Sequence, residues 1–354
     1  MEKMVKAFYI SSTQPHAGKT ALCIGLLLKF KKEGMKVGYI KPIGEVRHSE
    51  NEIDKDVITI AKILELEPQK IYSPVLIHLD MYWEEIELQT PENVLNTIKE
   101  AYQTIAADAD VVIIEGSQAL HFLHSFNLDD VSLAKELDAT IILVDTPKDD
   151  SVLDDFLLNT HFIQQHDARF AGVILNNTSR DMIERATSLY KKKLEDSGIN
   201  VLGIIAANPS LLNPTVGEIL ETLEGDLLEP GKEGAMDRLV ESFVVGAMSL
   251  ASALQYIRQA PPNSAIITGG DRADIALVAL EQDFSVLIFS GTIAPGVQIL
   301  AKAKEKGVPV ILSRKDTFGT THLIEKTTPG IQFKEQEYCL KMVEDYVNWQ
   351  QLLE

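Results

Sequence analysis

Cysteine is scarce: the 354 residues hold two, Cys23 and Cys339. Thiols so far apart in sequence make neither a disulfide framework nor a thiolate metal site. Long apolar runs are also missing, and nothing approaches the roughly 18 residues that a membrane-crossing helix requires. The opening stretch MEKMVKAFYISSTQPHAGKT reaches polar residues too soon for a signal peptide, so a cytoplasmic protein is expected. Positive charge is the third shortage. Lys and Arg number 33 against 52 Asp and Glu, a formal net charge of −19. Such a chain is repelled by nucleic-acid backbones and by anionic lipid. Broad binding to either is excluded, and room is left for a local basic pocket serving one small anionic ligand. Low-complexity tracts and short-period repeats are absent as well.

What is present is an ordinary globular composition, 45% hydrophobic and 24% charged. At roughly 150 residues per domain the length suggests about two domains. Short β-branched runs alternate with longer amphipathic stretches. The strands are expected at 6–11, 36–41, 111–115, 140–145, 172–176 and 201–206. They are nearly continuous apolar runs, as parallel strands covered on both faces require. Helices are expected at 19–33, stopped by Gly34, at 91–107 with Thr90 as cap, and at 181–197, stopped by Gly198. The alternation predicts an α/β fold, a doubly wound and mostly parallel sheet. Pro230, Gly231 and Gly234 interrupt both periods and set the expected boundary, with one domain over 1–228 and a second, smaller α/β domain over 235–354. In the latter, strands are expected at 264–268, 285–290 and 308–313, separated by helices at 274–282 and 297–305. A C-terminal helix over 335–353 closes it.

The strongest chemical signal follows the first strand: Ser11-Ser-Thr-Gln-Pro-His-Ala-Gly18-Lys19-Thr20. At such a turn the backbone N–H groups of Thr13, His16, Ala17 and Gly18 cradle phosphates. Lys19 reaches the terminal phosphates, and the Thr20 hydroxyl ligates Mg²⁺. The strict spacing would need Gly at 13, where this chain has Thr13. The alternative, a Gly-Lys pair in an ordinary turn, gives no reason for the strand-to-helix context. Lys41 and Glu115 stand at the carboxyl ends of two further strands, the rim on which doubly wound folds bind ligands. The competing readings there are a solvated strand-end carboxylate for Glu115 and a helix-capping or exposed residue for Asp56.

This loop, with Lys41-Pro-Ile43 ending strand two and Ile114-Glu-Gly116 ending the third, resembles dethiobiotin synthetase and its relatives. Those relatives include the cobyrinic acid a,c-diamide synthase group, within the SIMIBI class of P-loop NTPases. The similarity runs over roughly residues 5–225. It implies an ATP and Mg²⁺ site in which Lys41 faces the phosphates and an acid substrate. Glu115 and an aspartate opening the next helix then hold the metal; Asp56 fits best, with Asp54 the competing register. Asn176 or Asn177 corresponds to the amide that reads adenine, which offers a donor and an acceptor to a purine edge. Ser12, Gln14 and His16 depart from the family's Gly, Asp and Gly, and Gly116-Ser-Gln-Ala replaces its glycine-rich continuation. No diaminopelargonate site is recognisable, so dethiobiotin synthesis is not expected.

Residues 235–330 resemble the DRTGG domain through Gly246-Ala-Met248, Ile267-Thr-Gly-Gly-Asp271-Arg272-Ala-Asp274 and Asp316-Thr317. A P-loop domain of this kind followed by a DRTGG domain is the layout found ahead of the catalytic domain in long bacterial phosphotransacetylases. No acetyltransferase pattern occurs in the 354 residues, so acetyl transfer to phosphate is not expected of them. Gly269, Gly270, Asp271 and Arg272 have the character of an anion seat, the glycines permitting close approach and the guanidinium forking onto a phosphate or carboxylate. The other reading is a tight turn in which Arg272 pairs with Asp271, Asp274 or Asp316. His121 and His124 lack the cysteine or acid that would complete a zinc set. The acidic run from Asp145 to Asp155 reads as a solvated loop.

Three functions are consistent with these features. The first is a regulatory protein in which ATP·Mg²⁺ and a second, small anionic ligand are coupled. The second is an ATP-dependent ligase activating a carboxylate or carbamate, with Lys19 and Lys41 as its catalytic lysines. The third is an interaction protein that no longer binds nucleotide. A symmetric homodimer is expected, since relatives of the P-loop domain pair about a two-fold axis. Val244, Val245, Met248 and Leu250 are then either the pairing patch or part of the second domain's core.

Overall fold

Each apolar run read as a strand forms one, and burial on both faces explains why. The computed structural model describes residues 5–46, 53–67, 69–325, 327, 330–331 and 335–353. Residues 1–4 and 354, the ends of the two expected domains, lie outside these. The chain folds into two units, residues 1–207 with 331–354, and residues 208–330.

The first unit opens with β1 (Lys6–Ser12), α1 (Lys19–Lys32), β2 (Val37–Ile40), β3 (Ile43–Glu45) and α2 (Lys55–Ile63). It continues through β4 (Val75–Ile77), α3 (Tyr82–Gln89), α4 (Pro91–Ala106), β5 (Val111–Glu115) and α5 (Asp130–Glu136). Then come β6 (Thr140–Asp145), α6 (Ser151–Gln165), β7 (Phe170–Thr178), α7 (Ile183–Arg185), α8 (Lys191–Asp196) and β8 (Val201–Ala206). Six strands form one parallel sheet in the order β2-β5-β1-β6-β7-β8, with Ile10 of β1 opposite Glu115 on one side and Ile142 on the other. β3 and β4 make a small parallel pair apart from it. Thr90 caps α4, as its place before Pro91 predicts. The chain leaves β1 toward β2 and later crosses to β6 on the other side, so the carboxyl end of β1 lies where an α/β sheet binds ligands.

The second unit contains α9 (Pro209–Leu212), α10 (Val216–Leu223), β9 (Asp226–Glu229), β10 (Ser242–Val245), α11 (Leu250–Gln259) and β11 (Ser264–Gly269). It goes on through α12 (Ala273–Ala279), β12 (Phe284–Ser290), α13 (Val297–Lys306), β13 (Val310–Ser313) and α14 (Thr317–Glu325). Its sheet runs β10-β11-β12-β13-β9, parallel except for β9 at the edge. Ile266, Leu287 and Phe289 face one layer of helices, and Ala265, Ile267, Val286 and Ile288 face the other. A capping box between Thr215 and Glu218 starts α10.

Three expectations need correction. The boundary falls near 207, not 228, because β9 completes the second sheet by pairing with β13. The C-terminal helix α15 (Gln336–Tyr346) belongs to the first unit. It lies across α1, where Lys29 and Lys32 reach Glu344, and Val347 just beyond it bridges to Gly203 of β8. The acidic run after β6 is a loop only as far as Asp150, because α6 begins at Ser151. Val244, Met248 and Leu250 pack, half-buried, against one core layer of the second unit and Val245 against the other. No helix among the described residues is long and apolar enough to cross a membrane.

The contact of α1 with α15 depends on Gly25. A Cβ there would lie 2.4 Å from the Cys339 carbonyl oxygen and 2.5 Å from Val343 Cγ2. Gly25→Val is expected to push α15 away and cost about 1–3 kcal/mol, the usual penalty of overpacking. Urea unfolding measures it, and an unchanged midpoint would refute the contact.

Candidate functional site

The turn from β1 into α1 is built around Gly18, which caps the helix at φ 87. That left-handed conformation suits glycine, and a Cβ would also lie 2.2 Å from Asn176 Nδ2. His16 is left-handed too, at φ 61. Asn176, at the end of β7, donates from Nδ2 to the Ala17 carbonyl at 2.8 Å. Its Oδ1 is buried and has no hydrogen-bond partner among the described residues. An orphaned buried acceptor costs stability unless something supplies a donor. Asn177 follows at φ 50, its amide nitrogen 3.3 Å from where a Gly18 Cβ would stand.

Behind the turn, charge is concentrated. Lys19 is buried, and its Nζ donates to Ser12 Oγ at 2.8 Å and to the Gln118 carbonyl at 3.3 Å. Burial pulls its pKa down, against the charges of Asp130 and Glu115. Thr20 Oγ1 donates to Glu115 Oε1 at 2.6 Å, and Tyr39 Oη donates to Glu115 Oε2 at 2.7 Å. Burial and the neighbouring Asp56 push the Glu115 carboxyl up to about 7, while Lys41 and the two hydroxyls oppose the shift.

Lys41 is clamped, with Nζ 2.6 Å from Asp56 Oδ2 and 3.0 Å from Asp54 Oδ2. Burial alone would lower its pKa, but Asp56, Asp54 and Glu115 together hold it well above the lysine range. The two aspartates differ in kind. Asp54 caps α2, accepting from the N–H groups of Asp56 at 2.8 Å and Glu45 at 2.9 Å, and its side chain is 4% exposed. Asp56 lies in the first turn of the helix and is 33% exposed. Among the described residues, no three His, Cys, Asp or Glu side chains converge into a metal cage. A hard cation here would need phosphate and water beside Thr20, Glu115 and Asp56, which is how Mg²⁺ is ordinarily held.

The structure thus brings Lys19, Thr20, Lys41, Asp56, Glu115 and Asn176 to one end of the sheet. Thr13 and Gln14 are tied to Asp145, which is buried. In the second unit Arg272 forks onto Asp274, with Nε at 3.0 Å and Nη2 at 3.1 Å, one of the ion pairs foreseen as the alternative to a ligand seat. Gly270 has a packing reason as well, since a Cβ would lie 1.7 Å from the Ile293 carbonyl oxygen. His124 bonds to Asp129 at 3.0 Å and packs edge-on against Phe162.

Sequence reasoning missed Asp130, Tyr39 and Gln118. Asp130 is buried beneath the loop, accepting from Ser11 Oγ at 2.5 Å and Tyr9 Oη at 3.1 Å, with Gly116 leaving room for its Oδ2. The one available signal was Asp129-Asp130 placed just before an apolar helix, which a capping rule explains through Asp129 alone.

With the geometry in place, the class follows: a P-loop α/β protein carrying a second α/β unit. The chain belongs to the family described as AAA domain, which matches residues 6–215, and residues 218–327 match the DRTGG domain. It is 25% identical over 360 residues to a phosphate acetyltransferase of Pseudomonas putida, covering 97% of this chain and 50% of that one. It is 29% identical over 186 residues to the ATP-dependent dethiobiotin synthetase of Caldicellulosiruptor saccharolyticus, covering 49% of this chain and 74% of the relative. The chain thus spans about half the length of the phosphate acetyltransferases it matches. Among solved structures, the MinD cell division protein of Aquifex aeolicus aligns with 58% of this chain and 84% of its own, at 18% identity and a TM-score of 0.38. The CBS and DRTGG domains of the Clostridium perfringens pyrophosphatase regulatory region align with 39% of this chain and 68% of their own, at 21% identity and a TM-score of 0.28.

Asp130 makes a pH prediction. Burial raises its carboxyl from 3.8 to about 6, against the hydrogen bond from Ser11, the charge of Lys19 and the hydrogen bond from Tyr9. The folded chain therefore binds this proton more tightly than the unfolded chain. The resulting stability is complete below the unfolded value and is lost as pH rises through about 6. The contribution is on the order of 3 kcal/mol. Asp130→Asn should flatten the fall in stability between pH 4 and 7 (about that range, set by the two pKa values). Denaturant titrations across the window check it, and an unchanged slope would refute the assignment.

Proposed function

We propose that the first unit binds ATP together with Mg²⁺ and that the protein is regulatory, occupancy of this site being read out through the second unit. The observation that carries the reading is the orphaned Asn176 Oδ1, buried against the Gly18 turn. An adenine amino group would satisfy it, while Asn176 Nδ2 keeps the loop in place through the Ala17 carbonyl.

Each residue then has a task. Of the turn's N–H groups, that of Thr13 already donates to the Val144 carbonyl at 3.4 Å, so those of His16, Ala17 and Gly18 are the ones proposed to cradle phosphate oxygens, and the helix N-terminus adds its dipole. Lys19 exchanges the Ser12 hydroxyl for the terminal phosphates. Thr20, Glu115 and Asp56 are the groups that would hold Mg²⁺, whose chemistry is to neutralise phosphate charge; Asp54, spent on two backbone N–H groups and Lys41, is the poorer candidate. Asn177 flanks the same turn. In the second unit Gly269, Gly270, Asp271 and Arg272 are proposed to seat a small anion, for which Arg272 would have to leave Asp274.

The alternative, an ATP-dependent ligase like dethiobiotin synthetase, is favoured by the likeness to that enzyme. Against it stand the departures from that enzyme's pattern at Ser12, Gln14 and His16 and at Gly116-Ser-Gln-Ala. We also propose a symmetric homodimer, with the half-exposed Val244, Val245, Met248 and Leu250 available to it. Light scattering decides that point, and a mass of 39.2 kDa, the single chain, would refute it.

ATP·Mg²⁺ at 100 times its dissociation constant should stabilise the fold by about 2.7 kcal/mol. Lys19→Ala should abolish that gain while the ligand-free protein stays folded. Unchanged ATP affinity in the variant, measured by calorimetry, would make the loop structural. ADP release stimulated by small carboxylic or amino acids would favour the ligase.

A further inference from the structure

The carboxylate best placed to receive a metal already holds a cation, and that cation is a side chain. Lys41 Nζ lies 2.6 Å from Asp56 Oδ2, within a buried cluster that also contains Asp54 and Glu115. We infer that Lys41 acts as a positioning residue that keeps Asp56 from free divalent metal until a polyphosphate draws its ammonium away. The site would then admit Mg²⁺ only together with nucleotide. This inference rests on the ATP·Mg²⁺ reading and adds to it the order in which charges are exchanged.

Three features support it. Asp54 and Asp56 are placed differently: two backbone N–H groups fix Asp54, whereas Asp56 is the more exposed of the two. Asp54 can therefore serve as the pivot on which Lys41 turns from Asp56 toward a phosphate. Lysine suits this role because its charge rides on a flexible four-carbon stem. Second, Thr20, Glu115 and Asp56 are fewer ligands than Mg²⁺ takes, so phosphate and water would complete its shell. Third, the exchange conserves pairing. Before binding, the ammonium faces Asp56; afterwards it faces phosphate and the metal faces Asp56, so no buried charge is stranded at either stage. Linkage then requires nucleotide and metal to tighten each other by the same factor.

The test uses the full chain, with Mn²⁺ as the metal probe followed by electron paramagnetic resonance, and ATP in EDTA followed by calorimetry. Lys41→Met should tighten Mn²⁺ binding in the absence of nucleotide by about tenfold, within the usual range of coupling between sites. Lys99→Met removes an equal charge from a lysine that pairs with Glu136 instead, and should change that affinity by less than about threefold. Equal tightening in both variants, or none in Lys41→Met, overturns the inference. Lys41→Met leaves two carboxylates without their lysine and can fail to fold. In that case Asp56→Asn decides: metal-free ATP should bind more tightly than to the wild type, and unchanged affinity overturns the inference. Failure of the wild type to bind ATP with Mg²⁺ would remove the functional reading and this inference together, whereas the other failures leave that reading standing.

Discussion

Glu115 is the point at which the first unit's packing and its chemistry meet. It ends the β5 strand next to the centre of the sheet, and its two oxygens are taken by hydroxyls from α1 and β2. One carboxylate thus joins the helix that follows the loop to the strand that delivers Lys41. A buried anion is tolerated only where donors and opposite charge surround it, and Thr20, Tyr39 and Lys41 supply both. Lose that arrangement and neither the loop nor the lysine clamp has a fixed reference.

The loop above it shows how backbone shape and side-chain chemistry constrain each other. Gly18 is required by its left-handed turn and, separately, by the amide of Asn176 pressed against it. The same amide leaves one oxygen unsatisfied. Local cost is concentrated where a ligand would relieve it, a common arrangement at binding sites.

Much of this was legible in the sequence because it rests on local pattern. Continuous apolar runs mark parallel strands, so β1, β5, β6 and β8 appear where they were read, and the Gly-Lys-Thr turn sits between β1 and α1 as expected. Long-range partnerships were not legible. Asp130 lies 119 residues from Ser11, and nothing in its neighbourhood distinguishes it from Asp129, which merely caps a helix. That the backbone claims Asp54 and leaves Asp56 in the first turn of α2 could not be read from two aspartates separated by a single residue. The fate of α15 was hidden for a related reason, since an amphipathic helix shows in its sequence that it packs but not against what. Short strands such as β9, acidic at Asp226 and Glu229 and exposed at Asp226 and Leu227, carry too little period to be seen.

The return of α15 to the first unit has a consequence for the order of events during synthesis. The residues gathered around the Gly18 turn are all made by Ala207, yet the helix that covers Gly25 arrives only after residue 330. At translation speeds of about 5–20 residues per second, that interval is on the order of ten seconds. Throughout it the apolar groove of α1 stands uncovered, while the second unit emerges whole and is free to fold. The unit that starts before the other is therefore finished after it, and α1 is the surface on which a chaperone would have longest to act.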